Sequence, residues 1–143
     1  MLKAIVFFIL LICSTTYAET NTPVVIVQTA VVETKLDVPE LVHIFTRKQM
    51  FWSDGHKIKV FTKKTDSIEH KLFTMNVLNL TPYHYRTLLD SVIYSGSNTS
   101  VIEVSSDEEM ILKVSSTPYS IGYLNYNTII TNISADYITI HYE

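Results

Sequence analysis

The segment KIKVFTKKTDSIEHKLF, residues 57–73, decides the predicted fold. Its first part, 57–61, alternates polar and apolar side chains as a β-strand does. Ser67 then precedes Ile68 and Leu72, which are spaced as on one face of a helix, so Ser67 is expected to cap that helix. The segment therefore predicts a strand that turns directly into a helix, a unit typical of layered α/β domains.

Strands and helices continue to alternate on both sides of this segment. The β-branched run 24–27 is typical of a strand buried on both faces. Asp37, Thr81 and Ser106 each precede a helical pattern and are predicted helix caps. The predicted order is β-α-β-α-α-β-α-β-β, which favours an α/β layered domain. The remaining elements are helices over 38–46, from Pro82 toward Gly96 and from 107 to Pro118, and strands at 101–104, 121–124 and 138–140.

Composition limits the classes of protein that fit. The chain has 143 residues, of which 47% are hydrophobic and 17% charged, so it predicts one folded domain rather than a disordered chain. This length excludes a large multidomain enzyme. The formal net charge is −3, so no electrostatic footprint points to nucleic acid as a partner.

The N-terminus has the pattern of a secretory signal peptide. The apolar run 4–12 follows a basic start and precedes small residues that end at Ala18. We therefore expect a signal peptide over 1–18, cleaved after Ala18, and a mature domain over 19–143. That domain would be periplasmic or secreted, without stable membrane insertion after cleavage; an uncleaved N-terminal anchor is the alternative. Cys13, the only cysteine, would leave with the signal peptide, so the mature domain would have no disulfide and no cysteine nucleophile.

No catalytic constellation stands out in the sequence. The five histidines never occur at a metal-ligand spacing, and isolated histidines of this kind are typical of surface or capping positions. The acidic run 107–109 is what a first helical turn favours without any bound cation. We expect no enzyme activity, no metal and no cofactor. A group of lysines predicts a solvated edge rather than a nucleic-acid surface; its members are Lys57, Lys59, Lys63 and Lys64.

The turn between the predicted strand and helix has a physical reason to bind an anion. Between Lys63 and Ser67, the free N–H groups of a helix N-terminus are joined by the hydroxyls of Thr65 and Ser67. Strand-to-helix turns at the carboxyl end of a sheet are also where α/β folds bind ligands. Asp66 opposes a fully ionised anion, but its carboxylate could accept a proton from a protonated oxyanion. Judged from these residues alone, helix capping by Ser67 or Asp66 is the simpler interpretation.

Three blocks of the sequence match patterns that occur together in one family. The segment 36–60 is similar to IFxGKxxxWxDGxxI, 73–96 to FxxxvLxxxPxxaxxxWxxxxFxG, and 106–124 to SxxemlxxVxxtPgaIGYv. The chain thereby resembles the phosphate ABC transporter substrate-binding family, which is PBP-like (type 2 periplasmic binding protein). The matching residues include Ile44, Phe45, Lys48, Trp52, Asp54, Gly55 and Ile58, then Leu78, Thr81, Pro82 and Gly96, then Thr117, Pro118, Ile121, Gly122 and Tyr123.

The resemblance implies a single PBP-like lobe, with a mixed central sheet flanked by helices, and phosphate or a similar oxyanion as the ligand. Ser67 matches the serine of the family's anion loop, Lys63 replaces an upstream arginine, and Asp66 stands where glycine is usual. His70 occupies a downstream arginine position. The implied ligand-binding residues are Lys63, Thr65, Asp66, Ser67 and His70.

Two functions follow as expectations. The first is an exported solute-binding-like protein that binds inorganic phosphate or a related oxyanion at 63–67. Transport-type members of the family enclose their ligand between two lobes, so a single lobe would desolvate less of it unless a transporter or a second copy closed the cleft. The alternative is a ligand-free PBP-like module that acts through protein–protein interaction.

Overall fold

The computed structural model describes residues 22–33, 35–96, 101–131 and 137–142, and the predicted signal peptide over 1–18 lies outside these residues. Within the described ranges no helix is both long and apolar enough to cross a membrane. The strands are β1 (Pro23–Gln28), β2 (Lys35–Leu36), β3 (Lys59–Lys63), β4 (Ile102–Val104), β5 (Ser120–Asn125) and β6 (Tyr137–Tyr142). The helices are α1 (Val38–Phe45), α2 (Ile68–Asn76), α3 (Pro82–Tyr94), α4 (Asp107–Ser116) and α5 (Tyr126–Thr131).

The strands form one mixed sheet, as the resemblance implies. Its order is β2-β6-β1-β5-β3-β4. β1 runs antiparallel to both of its neighbours, whereas β3 is parallel to β4 and to β5. The C-terminal ends of β3, β4 and β5 therefore lie along the same edge of the sheet, at Lys63, Val104 and Asn125. We call this the carboxyl edge.

Helices cover both faces of the sheet, and alternation along the strands explains how. On one face, Val25 and Val27 of β1 belong to a buried cluster with Phe45 of α1, Phe73 of α2 and Tyr85 of α3. Ile26 lies between those two valines and points to the other face. There it joins a second buried cluster, with Met110 and Val114 of α4 and with Phe61 and Leu124 of the sheet. The predicted burial on both faces is thus confirmed for 25–27, and Val24 is partly buried.

The predicted helix caps are confirmed. Asp37 and Glu40 form a reciprocal capping box, in which the Glu40 N–H donates to Asp37 Oδ1 at 2.7 Å. Ser67, Thr81 and Ser106 each accept a hydrogen bond from the backbone N–H three residues later, at 3.2, 3.2 and 3.1 Å. Each bond satisfies one of the amides that a helix N-terminus leaves without an intrahelical partner.

Other features differ from the prediction. The short strand β2 and the helix α5 were not predicted. In α2 the side chains buried against the sheet are His70, Phe73 and Thr74, whereas Ile68 is 68% exposed. The helical spacing of Ile68 and Leu72 is thus real, but it does not mark the buried face.

Gly122 of β5 lies close against α4. A Cβ atom added there would lie 2.5 Å from Met110 Sδ and 3.1 Å from Val114 Cγ2. We expect Gly122→Ala to lower the free energy of unfolding by about 1–3 kcal/mol, because the extra methyl overpacks this contact. Urea unfolding of the variant measures the loss. In a Met110→Ala background, Gly122→Ala should cause little further loss in the free energy of unfolding, because the contacting side chain is gone. An equally large loss in that background would contradict the proposed contact.

Candidate functional site

The connection between β3 and α2 lies at the carboxyl edge. β3 ends at Lys63, Ser67 is the N-cap, and α2 begins at Ile68. The Ser67 hydroxyl oxygen accepts the His70 N–H, which leaves the amides of Ile68 and Glu69 without an intrahelical acceptor. Together with the helix dipole, these amides favour negative charge in front of α2.

Lys63 is buried beside a carboxylate from another helix. Its side chain is 5% exposed, and Nζ lies 2.5 Å from Oδ1 of Asp107, the first residue of α4. Asp107 Oδ2 also accepts hydrogen bonds from the Thr128 hydroxyl and the Asn125 N–H, at 2.5 and 3.3 Å. The prediction that Lys63 belongs to a solvated edge is therefore wrong, because β3 is an interior strand and α4 supplies a partner for the ammonium group.

A small cavity of about 50 Å³ opens where these groups meet. We call it the edge cavity. Two carboxylates and one ammonium group line it, so its formal charge is negative when all three are ionised. Its apolar wall includes the exposed Ile68 and the partly buried Leu72. The lining residues are Pro23, Lys63, Ile68, Glu69, Leu72, Asp107, Tyr123, Leu124 and Asn125.

The Tyr123 hydroxyl connects β5 to the residues around the turn. It accepts the Lys63 backbone N–H at 2.9 Å and lies 2.8 Å from His70 Nδ1. The hydroxyl oxygen can accept a second hydrogen bond or donate its own proton, so the His70 tautomer sets which of the two groups is the donor. Burial raises the pKa of Tyr123 and so keeps its hydroxyl protonated.

His70 is a buried residue, which the sequence did not predict. It is 1% exposed, and desolvation by burial lowers its pKa, while the charge of Glu103 acts in the opposite direction. The general interpretation of the isolated histidines as surface or capping residues is therefore wrong for His70. Its Nε2 is buried and has no hydrogen-bond partner among the described residues.

A second, larger cavity lies on the other side of His70, between α3 and the β3–β4 end of the sheet. We call it the α3 cavity; its volume is about 250 Å³. Thr65 and Glu103 meet at its wall, where the Thr65 hydroxyl donates to Glu103 Oε1 at 3.3 Å. The lining residues are Thr62, Thr65, His70, Tyr85, Arg86, Leu89, Ile93, Val101 and Glu103.

The five candidate ligand-binding residues do not line one cavity. Lys63 lines the edge cavity, whereas Thr65 and His70 line the α3 cavity. Ser67 caps α2, and Asp66 is exposed; neither lines either cavity. Asp107 and Tyr123, which sequence reasoning did not include in the site, connect most directly to Lys63. The described residues contain no group of three or more His, Cys, Asp or Glu side chains arranged to hold a metal ion.

Comparison with known proteins identifies the fold. No family model and no curated protein matches the chain. PstS from Borrelia burgdorferi superposes with a TM-score of 0.68 at 19% identity, over 85% of this chain and 47% of that one. A putative phosphate ABC transporter substrate-binding protein from Clostridium perfringens, solved with bound phosphate, gives 0.64 at 13% identity, over 85% and 44% of the two chains. An ABC-type phosphate transport receptor from Vibrio cholerae gives 0.61 at 17% identity, over 85% and 46%.

The chain therefore has the fold of phosphate ABC transporter substrate-binding proteins, and the resemblance read from its three sequence blocks is confirmed at the level of the fold. It spans a little under half the length of each of these structures. This extent agrees with the predicted single-lobe form.

The pair of Lys63 and Asp107 can be tested by stability. We expect Lys63→Met to lower the free energy of unfolding by about 3–5 kcal/mol, because it leaves the largely buried Asp107 carboxylate without its cation. Lys63→Met combined with Asp107→Asn should recover most of the loss. Chemical denaturation measures both, and Lys64→Met, at the exposed neighbour, should stay within about 0.5 kcal/mol of the parent. A double variant as unstable as Lys63→Met would contradict the pairing.

Burial of His70 predicts a pH dependence of stability. Because its folded-state pKa lies below the ordinary value of about 6.5, the unfolded chain takes up the proton more readily. The contribution of neutral His70 to the free energy of unfolding should therefore be fully present above about pH 6.5 and should decline as the pH falls below that value. Urea unfolding at descending pH measures the decline, which should be smaller in His70→Gln. The exposed His43→Gln variant should behave like the parent; equal behaviour of all three proteins would exclude the assignment to His70.

Proposed function

We propose that this chain is an exported solute-binding-like lobe that binds a protonated oxyanion, hydrogen phosphate by preference, in front of α2 at 63–67. The observation that carries the proposal is the strand-to-helix turn at the carboxyl edge, where the Lys63 ammonium group and the N-terminus of α2 border one small cavity. The similarity in fold to phosphate-binding proteins supports the same ligand class. The protein acts by binding, without catalysis.

The charges around the edge cavity favour a protonated ligand. Lys63 and the first amides of α2 supply donors, while Asp107 and Glu69 supply acceptors on the wall of the same cavity. Hydrogen phosphate has both acceptor oxygens and a proton to donate near neutral pH, whereas sulfate has no proton to donate. Asp107 thus takes the proton-accepting role that the sequence suggested for Asp66.

Export and association are part of the same proposal. A cleaved signal peptide over 1–18 would deliver the mature domain 19–143 to the periplasm or the exterior. The ligand would reach an ABC-type transporter or be enclosed by a second copy of the chain. Binding by one lobe alone should be weak, since the edge cavity is shallow and desolvates little of the ligand.

A specific observation favours the alternative, a ligand-free module that works through protein–protein contacts. Lys63 already has a carboxylate partner, so an anion must share that cation with Asp107. Beside the cavity, α2 exposes Ile68 and Met75, at 68% and 54%, with the partly buried Leu72 between them. Exposed apolar side chains at this spacing suit an interface.

Calorimetric titration of the purified mature protein with phosphate and sulfate separates the two functions. We expect saturable heat with phosphate and at least tenfold weaker binding of sulfate, because only hydrogen phosphate satisfies Asp107. Ser67→Ala should reduce phosphate affinity severalfold by disturbing the N-terminus of α2. Asp107→Asn should reduce the difference in affinity between phosphate and sulfate.

Two variants serve as controls. Asp66→Asn removes the exposed carboxylate while the largely buried Asp107 carboxylate remains. The preference for phosphate over sulfate should therefore stay intact. Lys64→Met removes an exposed charge next to the site and should change phosphate affinity less than twofold. The absence of phosphate heat in the millimolar range would contradict oxyanion binding and leave the ligand-free module as the function.

A further inference from the structure

The α3 cavity is distinct from the proposed oxyanion site. It is about five times the volume of the edge cavity, and the two share none of their lining residues. At about 250 Å³ it lies just below the usual range for ligand pockets, which begins at about 300 Å³, so it suits a small metabolite. Its apolar wall consists of Tyr85, Leu89, Ile93 and Val101.

Two opposite charges line this cavity without pairing with each other. Arg86 pairs through Nε with Asp90, one turn along α3, and its terminal amino groups have no hydrogen bond to the described residues. Among the described residues, Glu103, on β4, accepts one long bond from Thr65 and does not form a salt bridge with Arg86. Both side chains line the same cavity.

His70 of α2 and Thr62 of β3 complete the polar part of the cavity wall. His70 is buried, its Nδ1 is hydrogen-bonded to the Tyr123 hydroxyl, and its buried Nε2 has no partner among the described residues.

We propose that the α3 cavity binds the zwitterionic head group of a small apolar amino acid. The carboxylate contacts the Arg86 guanidinium, and the ammonium group contacts the Glu103 carboxylate. The apolar side chain packs against Leu89 and Ile93. Opposite charges on one cavity wall recognise a molecule that carries both charged groups on one carbon atom, and a simple anion such as phosphate satisfies only one of them.

The test is saturation-transfer NMR on the mature protein with L-leucine and two of its analogues. 4-Methylpentanoate lacks the ammonium group, and isoamylamine lacks the carboxylate. We expect saturable binding of leucine and at least tenfold weaker binding of each analogue. Arg86→Gln and Glu103→Gln should each weaken leucine binding at least tenfold.

Matched controls keep loss of binding separate from loss of fold. Lys71→Gln and Glu108→Gln remove exposed charges outside the cavity and should leave leucine affinity within twofold of the parent. All four variants should retain the parent's NMR spectrum elsewhere, since the altered side chains are exposed. The double variant of Lys63→Met with Asp107→Asn, which should keep most of the parent's stability, should alter phosphate binding without altering leucine binding, so either proposal can fail alone.

Absence of saturable leucine binding in the millimolar range would overturn the assignment. Equal binding of leucine and either analogue would also overturn it, because one of the two charges would then contribute nothing. Leucine affinity that is unchanged in both Arg86→Gln and Glu103→Gln would overturn it as well.

Discussion

The hydrogen bonds of the Tyr123 hydroxyl fix the geometry of the whole turn. Tyr123 belongs to β5, yet its hydroxyl accepts the last amide of β3 and is hydrogen-bonded to a histidine on α2. Its ring stacks on Phe73 at a centroid distance of 3.8 Å and meets Phe45 edge-on at 5.9 Å. One side chain therefore joins two strands and two helices, and it is hydrogen-bonded to Lys63, which lines the edge cavity, and to His70, which lines the α3 cavity. Moving this ring would displace Lys63 and His70 together.

The sequence predicted what depends on local chain geometry. Helix caps such as Asp37 and Ser67 were predicted correctly because capping involves residues three apart, and the alternation of strands and helices was clear enough to give the fold class. It could not predict that Lys63 is buried, because the Asp107 carboxylate comes from a helix 44 residues further along the chain. The burial of His70 was missed for the same reason, since its partner Tyr123 lies 53 residues away.

Two residues at left-handed backbone positions show how the fold tolerates sequence change. The IFxGK pattern has glycine where this chain has Arg47, and tPgaIGY has glycine where it has Tyr119, yet both residues keep a positive φ, of 65° and 61°. Such a conformation costs about 1–3 kcal/mol without glycine. Side-chain contacts offset this cost: Arg47 Nη1 donates to the Ile58 carbonyl, and the Tyr119 ring stacks on His56 at 3.8 Å.

The pairing of Lys63 with Asp107 also determines how the carboxyl edge acts at a distance. An isolated ammonium group in a low-dielectric cleft would draw anions from beyond the contact range and raise their association rate. Here the aspartate neutralises the lysine, and the exposed Glu69 leaves the edge cavity with a net negative charge. An arriving anion would therefore gain no attraction at a distance and would be recognised only on contact, at an association rate that rises as salt screens the repulsion.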